Sequence, residues 1–509
     1  MRLLLRVLVA ATCALASCDE GDSPSSPSPS VDAGLEETSS PVNAASADAG
    51  EGAADADPFG NRNGTRIRLR NFTTAEGFRR SAGFFDKQTG EPCNVRQLAQ
   101  DGVRRCLPAG SAISHFADAS CTQPVASYTS CASKPKFAAE TVPAPDGCST
   151  AKTRIYNLGA EFGAPSADGG PAAVTLYTKS GASCVSTPPA ANTIYVATTT
   201  EAPPADFVAF HETRLPVGDA LNAVYYAGDE GSRLFATFED KAGATPCTFA
   251  PMSDGTLRCA PSSLNVSALF DRYSDGACKS ELAFASCPAS AKLARRTGLA
   301  CPNVTRFYEL GANVPSDAGI FYKGAGSCIT APPIDGFAPR ELGAEVLPSV
   351  FQDGTLGPWT AAGRLASRKI VIDGVAVPVA TETFERKVDI QDTAKNAPCA
   401  VQLASDGVYR CLPDAALASY FTDATCTQRL AFTYVSNCAS APAYATYTGP
   451  ECPGLVVVLA VTGKRAGTSV YVKGTSTCSV ADLGANVELW DVGAVIAPSE
   501  FAEMSLTVD

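Results

Sequence analysis

One stretch occurs three times and constrains everything this chain can become. In its last copy it reads Cys399-Ala-Val-Gln-Leu-Ala-Ser-Asp406-Gly407-Val-Tyr-Arg410-Cys411-Leu-Pro413, followed by Asp423-Ala-Thr-Cys426. The first copy carries Cys93, Asp101-Gly102, Arg105-Cys106-Leu-Pro108 and Asp118-Ala-Ser-Cys121. The second carries Cys247, Asp254-Gly255, Arg258-Cys259-Ala-Pro261 and Asp275-Gly-Ala-Cys278. In each copy Asp-Gly begins five residues before the second cysteine, and an Asp stands three residues before the third. A 509-residue chain with such a register is modular, and its core is divided among like units.

The repeats span residues 63–210, 211–353 and 354–509, and their ends are also in register. Phe207, Phe351 and Phe501 each lie 23 residues beyond the last cysteine of their repeat, at Cys184, Cys328 and Cys478. Within each repeat, an alternating run ends in Asp86, Asp240 or Asp392, seven residues before the first cysteine. Asp-Gly between strand-like residues predicts a hairpin with a tight type I′ turn. The second halves carry Arg154-Ile-Tyr156 and its echo Arg306-Phe-Tyr308, then an aromatic strand at Tyr177, Tyr322 or Tyr471 that enters the sixth cysteine. Alternation of apolar and polar residues with frequent turn signals reads as all-β. Short pieces such as Leu264 to Tyr273 look helical. About four strands per half repeat predict six four-stranded groups, the pattern of a six-bladed β-propeller; the rival is three separate disulfide-stapled β domains.

The chain has 20 cysteines. Eighteen fall six to a repeat: Cys93, Cys106, Cys121, Cys131, Cys148 and Cys184; Cys247, Cys259, Cys278, Cys287, Cys301 and Cys328; Cys399, Cys411, Cys426, Cys438, Cys452 and Cys478. An even set at repeated spacing reads as a disulfide framework, and the lack of close Cys-x-x-Cys pairs argues against zinc. Six cysteines permit fifteen pairings per repeat. Pairing of sequence neighbours is the expectation: Cys93 with Cys106, Cys121 with Cys131, Cys148 with Cys184, and likewise in the other copies. A tight two-residue turn opposes the first of these, because it leaves Cys93 and Cys106 about 10 Å apart at roughly 3.3 Å per residue.

The N-terminus joins two arginines, a short apolar run and small residues ending Leu15-Ala16-Ser17-Cys18. An apolar run this short is an export signal rather than a membrane span. Leu15-Ala16-Ser17-Cys18 resembles the lipobox of bacterial lipoproteins. The resemblance implies a signal peptide over residues 1–17, cleavage before Cys18, and a lipid on its thiol that anchors the protein to a membrane of the cell envelope, on the periplasmic or cell-surface side. Residues 18–62, rich in Ser, Pro, Ala and Asp, read as a disordered tether that spaces the folded part roughly 35–40 Å from the bilayer. As a whole the chain resembles cysteine-rich, tandem-repeat envelope lipoproteins without an assigned activity.

A formal charge of -12 argues against nucleic acid or an anionic membrane surface as a partner, since both need a basic face. The two histidines, His115 and His211, fall outside the repeated register, which disfavours a Ser-His-Asp, Cys-His or His-metal centre. The repeated aspartates Asp86, Asp101 and Asp118, with their counterparts Asp240, Asp254, Asp275, Asp392, Asp406 and Asp423, read as turn-setting residues rather than glycan-cleaving pairs or calcium ligands. Arg105, Arg258 and Arg410 read as sheet-face residues with packed stems. No cofactor or metal is expected. The function this supports is a membrane-anchored binding or structural scaffold for a glycan, peptide or protein. The alternative is a carboxylate-dependent hydrolase or lyase of envelope glycans, which would break the repeat at one place and turn unmatched acids into a common cleft.

Overall fold

The computed structural model describes residues 57–509, apart from Arg96 and the segments 130–132, 145–149, 163–174, 181–182, 191–192, 262–265, 286–291, 298–303, 316–317, 324–326, 333–337, 378–388, 435–440, 450–453, 468, 475–476, 482 and 484–486. The protein is all-β, with one-turn 3-10 pieces at Pro204–Asp206, Pro348–Val350 and Pro498–Glu500. Among the described residues no helix is long and apolar enough to cross a membrane.

The Asp-Gly hairpin shows how the repeat folds. In the second repeat Thr245–Pro251 pairs with Leu257–Pro261 so that Cys247 faces Pro261 and Phe249 faces Cys259. Only the glycine of each Asp-Gly pair has positive φ, at 80° in Gly102, 77° in Gly255 and 76° in Gly407. The turn is therefore not type I′, which needs positive φ at both centres. It is a three-residue loop closed by a glycine bulge: the amide of Gly255 donates to the carbonyl of Met252, and Met252 donates to Thr256. The extra loop residue has a large effect, since a one-residue slip moves a whole strand to the other face. With the observed loop Cys247 and Cys259 share a face as diagonal neighbours, and the twist of the hairpin brings their Cα atoms to 5.3 Å. The same bridge closes Cys93–Cys106 at 5.1 Å and Cys399–Cys411 at 5.3 Å, so the neighbour pairing holds here and the objection from a tight turn falls.

Elsewhere sheet adjacency overrides sequence adjacency. Cys121 is bridged to Cys184, Cys278 to Cys328 and Cys426 to Cys478, which corrects the expected Cys121–Cys131 and Cys148–Cys184 pairings. The hairpin carrying the sixth cysteine lies beside the strand that ends at the Asp-x-x-Cys turn, with Tyr177 opposite Phe116, Phe321 opposite Tyr273 and Tyr471 opposite Phe421. Cys131, Cys148, Cys287, Cys301, Cys438 and Cys452 lie outside the described residues.

The first halves of the three repeats form a closed ring. In repeat two, Phe210–Val217 pairs with Leu221–Gly228, which pairs with Arg233–Asp240. Repeat one repeats the second pairing, with Ile67 opposite Asp86 as Leu221 is opposite Asp240, and with a bulge at the same place, Arg70/Asn71 and Val224/Tyr225. Its outer strand comes from the far end of the chain: Glu503–Val508, the closing strand, lies against Ile67–Thr73 with Thr73 opposite Ser505, and also meets Tyr409–Pro413 of repeat three. One ten-stranded sheet thus runs from repeat three through the closing strand into repeat one.

The cores follow the same cycle. The bridge Cys93–Cys106 is packed with Ile67, Phe84 and Phe210, against Tyr226 and Leu234 of repeat two. Cys247–Cys259 is packed with Leu221 and Phe238, and with Ile370, Ile372 and Val377 of repeat three. Cys399–Cys411 is packed with Leu365 and Met504, and with Phe72 and Phe78 of repeat one. Phe59 also enters the repeat-two core and its carbonyl accepts from the Tyr225 hydroxyl, so residues 57–62, expected in the tether, belong to the folded part, because an aromatic ring has apolar surface to bury.

The second halves form three outer sheets of eight, seven and seven strands. Each contains a parallel pair, such as Ser111–Phe116 with Phe137–Val142. Four-stranded blades are therefore not formed among the described residues, and the three-module alternative describes the chain, with the modules joined by the ring. Of the stretch Leu264 to Tyr273 that looks helical, Leu264 and Asn265 lie outside the described residues and Val266–Tyr273 forms a strand, because pairing partners on both sides override its local pattern.

Candidate functional site

The repeated polar residues are occupied in holding the modules together. Each arginine of the Arg-Cys-x-Pro strand reaches back four residues to its turn aspartate, Arg105–Asp101 at 2.8 Å, Arg258–Asp254 at 2.9 Å and Arg410–Asp406 at 2.8 Å. The same guanidinium donates to the carbonyl of the phenylalanine that ends the repeat: Phe207 at 2.7 Å, Phe351 at 2.9 Å and Phe501 at 3.1 Å. The phenylalanine ring fills the junction between inner and outer sheets, beside Ile155, Phe307 or Val458. The next residues then run on into the ring, where Val208, Gln352 and Ala502 accept from the amides of Cys106, Cys259 and Cys411. This one residue type, at fixed spacing, therefore plugs the junction and aims the chain into its neighbour.

The turn aspartates act on their own backbone, as their sequence context suggested. Asp101, Asp254 and Asp406 accept from the amide two residues on, at 3.0, 3.0 and 3.2 Å. Asp118, Asp275 and Asp423 accept from the amides four and five residues on, at distances from 2.6 to 3.4 Å. These bonds wrap the loop around a cysteine in the left-handed region, with φ of 53° at Cys121, 50° at Cys278 and 54° at Cys426. The hydroxyls of Ser120 and Thr122 hold the Asp118 carboxyl well below the usual range, the Thr425 hydroxyl and the Gln428 amide do so for Asp423, and backbone amides led by Ser280 lower Asp275.

The two histidines stand apart. His115 packs edge-on to Tyr195 with its Nδ1 2.7 Å from the Ser114 hydroxyl, and burial pushes its imidazole below the ordinary value. His211 is exposed on the ring, with Nδ1 3.6 Å from Asp229. Among the described residues no three of His, Cys, Asp and Glu come together in a cluster fit for a metal.

The aspartates that end the alternating run break the threefold pattern. In repeat one the Arg66 guanidinium forks onto Asp86, Nε to Oδ1 at 2.7 Å and Nη2 to Oδ2 at 2.5 Å, and Nη2 also donates to the Asp206 carbonyl at 2.7 Å. Repeat three does the same with Arg364 on Asp392, at 2.7 to 3.1 Å, and on the Glu500 carbonyl at 2.5 Å. In repeat two the equivalent position is Ala220. The equivalence rests on the backbone: Lys87, Lys241 and Thr393 donate to the carbonyls of Arg66, Ala220 and Arg364 at 3.2, 2.9 and 2.9 Å. A cleft of about 420 Å³ opens there, lined among others by Ala220, Asp240, Arg258, Lys292, Val350 and Asp353. A more open cleft of about 530 Å³ lies in the outer sheet of repeat one, where Glu140 already accepts from Tyr156 at 2.9 Å and pairs with Arg154 at 4.0 Å.

The class of protein this defines is an all-β, disulfide-stapled ring of three modules, in which repeat two opens a cleft where the other two repeats place an arginine clamp. A family model described as a family of unknown function (DUF7481) matches residues 60–203, most of repeat one. No curated protein and no solved structure matches the chain.

Proposed function

We propose that the protein is a lipid-anchored scaffold of the bacterial cell envelope that binds a ligand and turns nothing over. The observation that carries this is the use of the repeated Asp, Arg and Cys residues: all those described are engaged in turns, clamps and bridges, and where the clamp is missing, at Ala220, a cleft opens. The lipobox at Leu15-Ala16-Ser17-Cys18 supplies the anchor and residues 19–56 the reach. Surface clefts on a rigid frame are the ordinary way to build binding. No imidazole lines the repeat-two cleft, so a group tuned to neutral pH has no obvious source there. The test is to express the chain in a bacterial host with a labelled fatty acid, comparing it with Cys18→Ser, and to screen the purified protein against envelope polysaccharides and peptides for retention and for products. Label lost with Cys18→Ser and saturable retention without products support the reading. Unlabelled protein overturns the anchor, and product release abolished by changing one Asp or Glu overturns the scaffold.

A further inference from the structure

In the repeat-two cleft Ala220 stands where the other repeats place the guanidinium of Arg66 or Arg364. We propose that the cleft binds a guanidinium group supplied from outside, as the side chain of an arginine or as a small guanidino compound. The inference deepens the binding reading above by naming its ligand class, but it stands whether or not Cys18 carries lipid.

The other two repeats show what the site accepts. There a guanidinium makes a two-pronged contact with Asp86 or Asp392 and one further bond to the carbonyl of Asp206 or Glu500, the residue before Phe207 or Phe501. Repeat two retains each acceptor. The Asp240 carboxylate is set by the same local bond, Oδ1 accepting from the amide of Ala242 at 3.1 Å, as Asp86 accepts from Gln88 at 2.9 Å and Asp392 from Ala394 at 3.0 Å. The 3-10 turn is closed identically, Phe351 donating to Pro348 at 3.0 Å as Phe207 donates to Pro204 at 3.1 Å and Phe501 to Pro498 at 2.9 Å. Val350 therefore presents the carbonyl that Asp206 and Glu500 present elsewhere. Among the described residues, no cation pairs with Asp240 and no donor meets the Val350 carbonyl.

Two cations do line the cleft, and neither fills the role. Arg258 is held by Asp254 and the Phe351 carbonyl, as Arg105 is held in repeat one, where Arg66 coexists with it. Lys292 is exposed and corresponds to Lys136, which in repeat one turns to the Thr89 carbonyl at 2.9 Å while Arg66 occupies the site. An ammonium is a point charge and does not reproduce a planar fork onto a carboxylate. The rim also changes. Val350 stands where the other copies have the acids Asp206 and Glu500, and it is 69% exposed, an apolar lip for the methylene stem of an arginine. A volume of about 420 Å³ lies within the usual range for small-ligand sites.

The experiment is calorimetric titration of the purified full chain with N-acetyl-arginine amide, its lysine and citrulline counterparts, and a Gly-Gly-Arg-Gly-Gly peptide. Saturable one-to-one binding of the arginine compound is expected, with the lysine compound at least tenfold weaker and the uncharged citrulline compound silent. Asp240→Asn weakens binding at least tenfold. Ala220→Arg supplies the missing guanidinium from within, so it abolishes binding and raises Tm; the two variants together keep the test informative if one of them folds poorly. Equal affinity for the capped residue and the peptide assigns the site to the side chain alone, and tighter peptide binding assigns a peptide as the occupant. No saturable binding up to about 10 mM, below even millimolar affinity, overturns the proposal. So does binding that both variants leave unchanged.

Discussion

Replacing Arg410 by alanine probes the clamp that joins turn, junction and ring. Its side chain is 8% exposed, the most buried of the three clamps, and it holds Asp406 at 2.8 Å and the Phe501 carbonyl at 3.1 Å. The bond from a charged donor to the carbonyl is worth about 1.5–3 kcal/mol. Asp406 is 32% exposed, so solvent screens the ion pair to about 0.5–1 kcal/mol. Arg410→Ala should therefore destabilise the protein by roughly 2–4 kcal/mol, or roughly 5–15 °C in Tm for a cooperative unit of 150–250 residues. Trp490 lies in the outer sheet of repeat three and is 7% exposed, whereas Trp359 is 37% exposed, so urea unfolding followed by fluorescence reports chiefly on this module. Arg410→Lys should recover less than half of the loss, because one ammonium at the end of a single stem does not bridge a carboxylate and a carbonyl on opposite sides. A midpoint for Arg410→Ala within about 0.5 kcal/mol of wild type, the range of neutral surface changes, would refute the clamp. A lysine variant equal to wild type would refute its fork geometry.

Phe501→Ala removes a ring that is 2% exposed and packs with Tyr444 at a centroid distance of 6.1 Å, and should cost about 3–5 kcal/mol in chemical denaturation. Changing Cys426 and Cys478 together to serine opens a link across 52 residues and should cost about 2–5 kcal/mol; peptide mapping without reductant should recover Cys426 joined to Cys478, and not to Cys438. The depressed Asp118 carboxyl gives a stabilisation that is fully present above its ordinary value of 3.8 and is lost as pH falls through the lower folded value. The Tm difference between wild type and Asp118→Asn should therefore be constant from neutral pH to about pH 5 and close below pH 4, and a difference that grows as pH falls would contradict the assignment.

The repeated register was legible in the sequence because the turn, the Arg-Cys-x-Pro strand and the Asp-x-x-Cys loop are local devices with fixed lengths. Asp-Gly signalled the hairpin, but the loop type was misread: the register that shares Cys247 and Cys259 on one face requires the extra residue, and nothing in the dipeptide shows it. The Cys121–Cys184 bridge depends on which hairpin docks beside Phe116, a tertiary choice that spacing does not encode. Ring closure by Glu503–Val508 was equally hidden, since those six residues resemble any terminal strand until their equivalence to Phe210–Val217 is seen. The break at Ala220 leaves only a faint trace in the sequence. Arg66 and Ala220 both stand 20 residues before their aspartates, but Arg364 stands 28 before Asp392, so the alignment emerges only when the strands are paired.

Closure of the ring is the claim on which the modules, the clamps and the cleft all depend, and a cross-link between its ends measures it directly. Thr73 and Ser505 are direct partners in the ladder although 432 residues apart. Thr73→Cys with Ser505→Cys, oxidised in dilute solution, should give a monomer in which peptides containing residues 73 and 505 are joined, while Thr73→Cys with Thr507→Cys should not. Failure of the first pair to link, or linkage only in dimers that grow with concentration, would show that the ends meet between molecules or not at all.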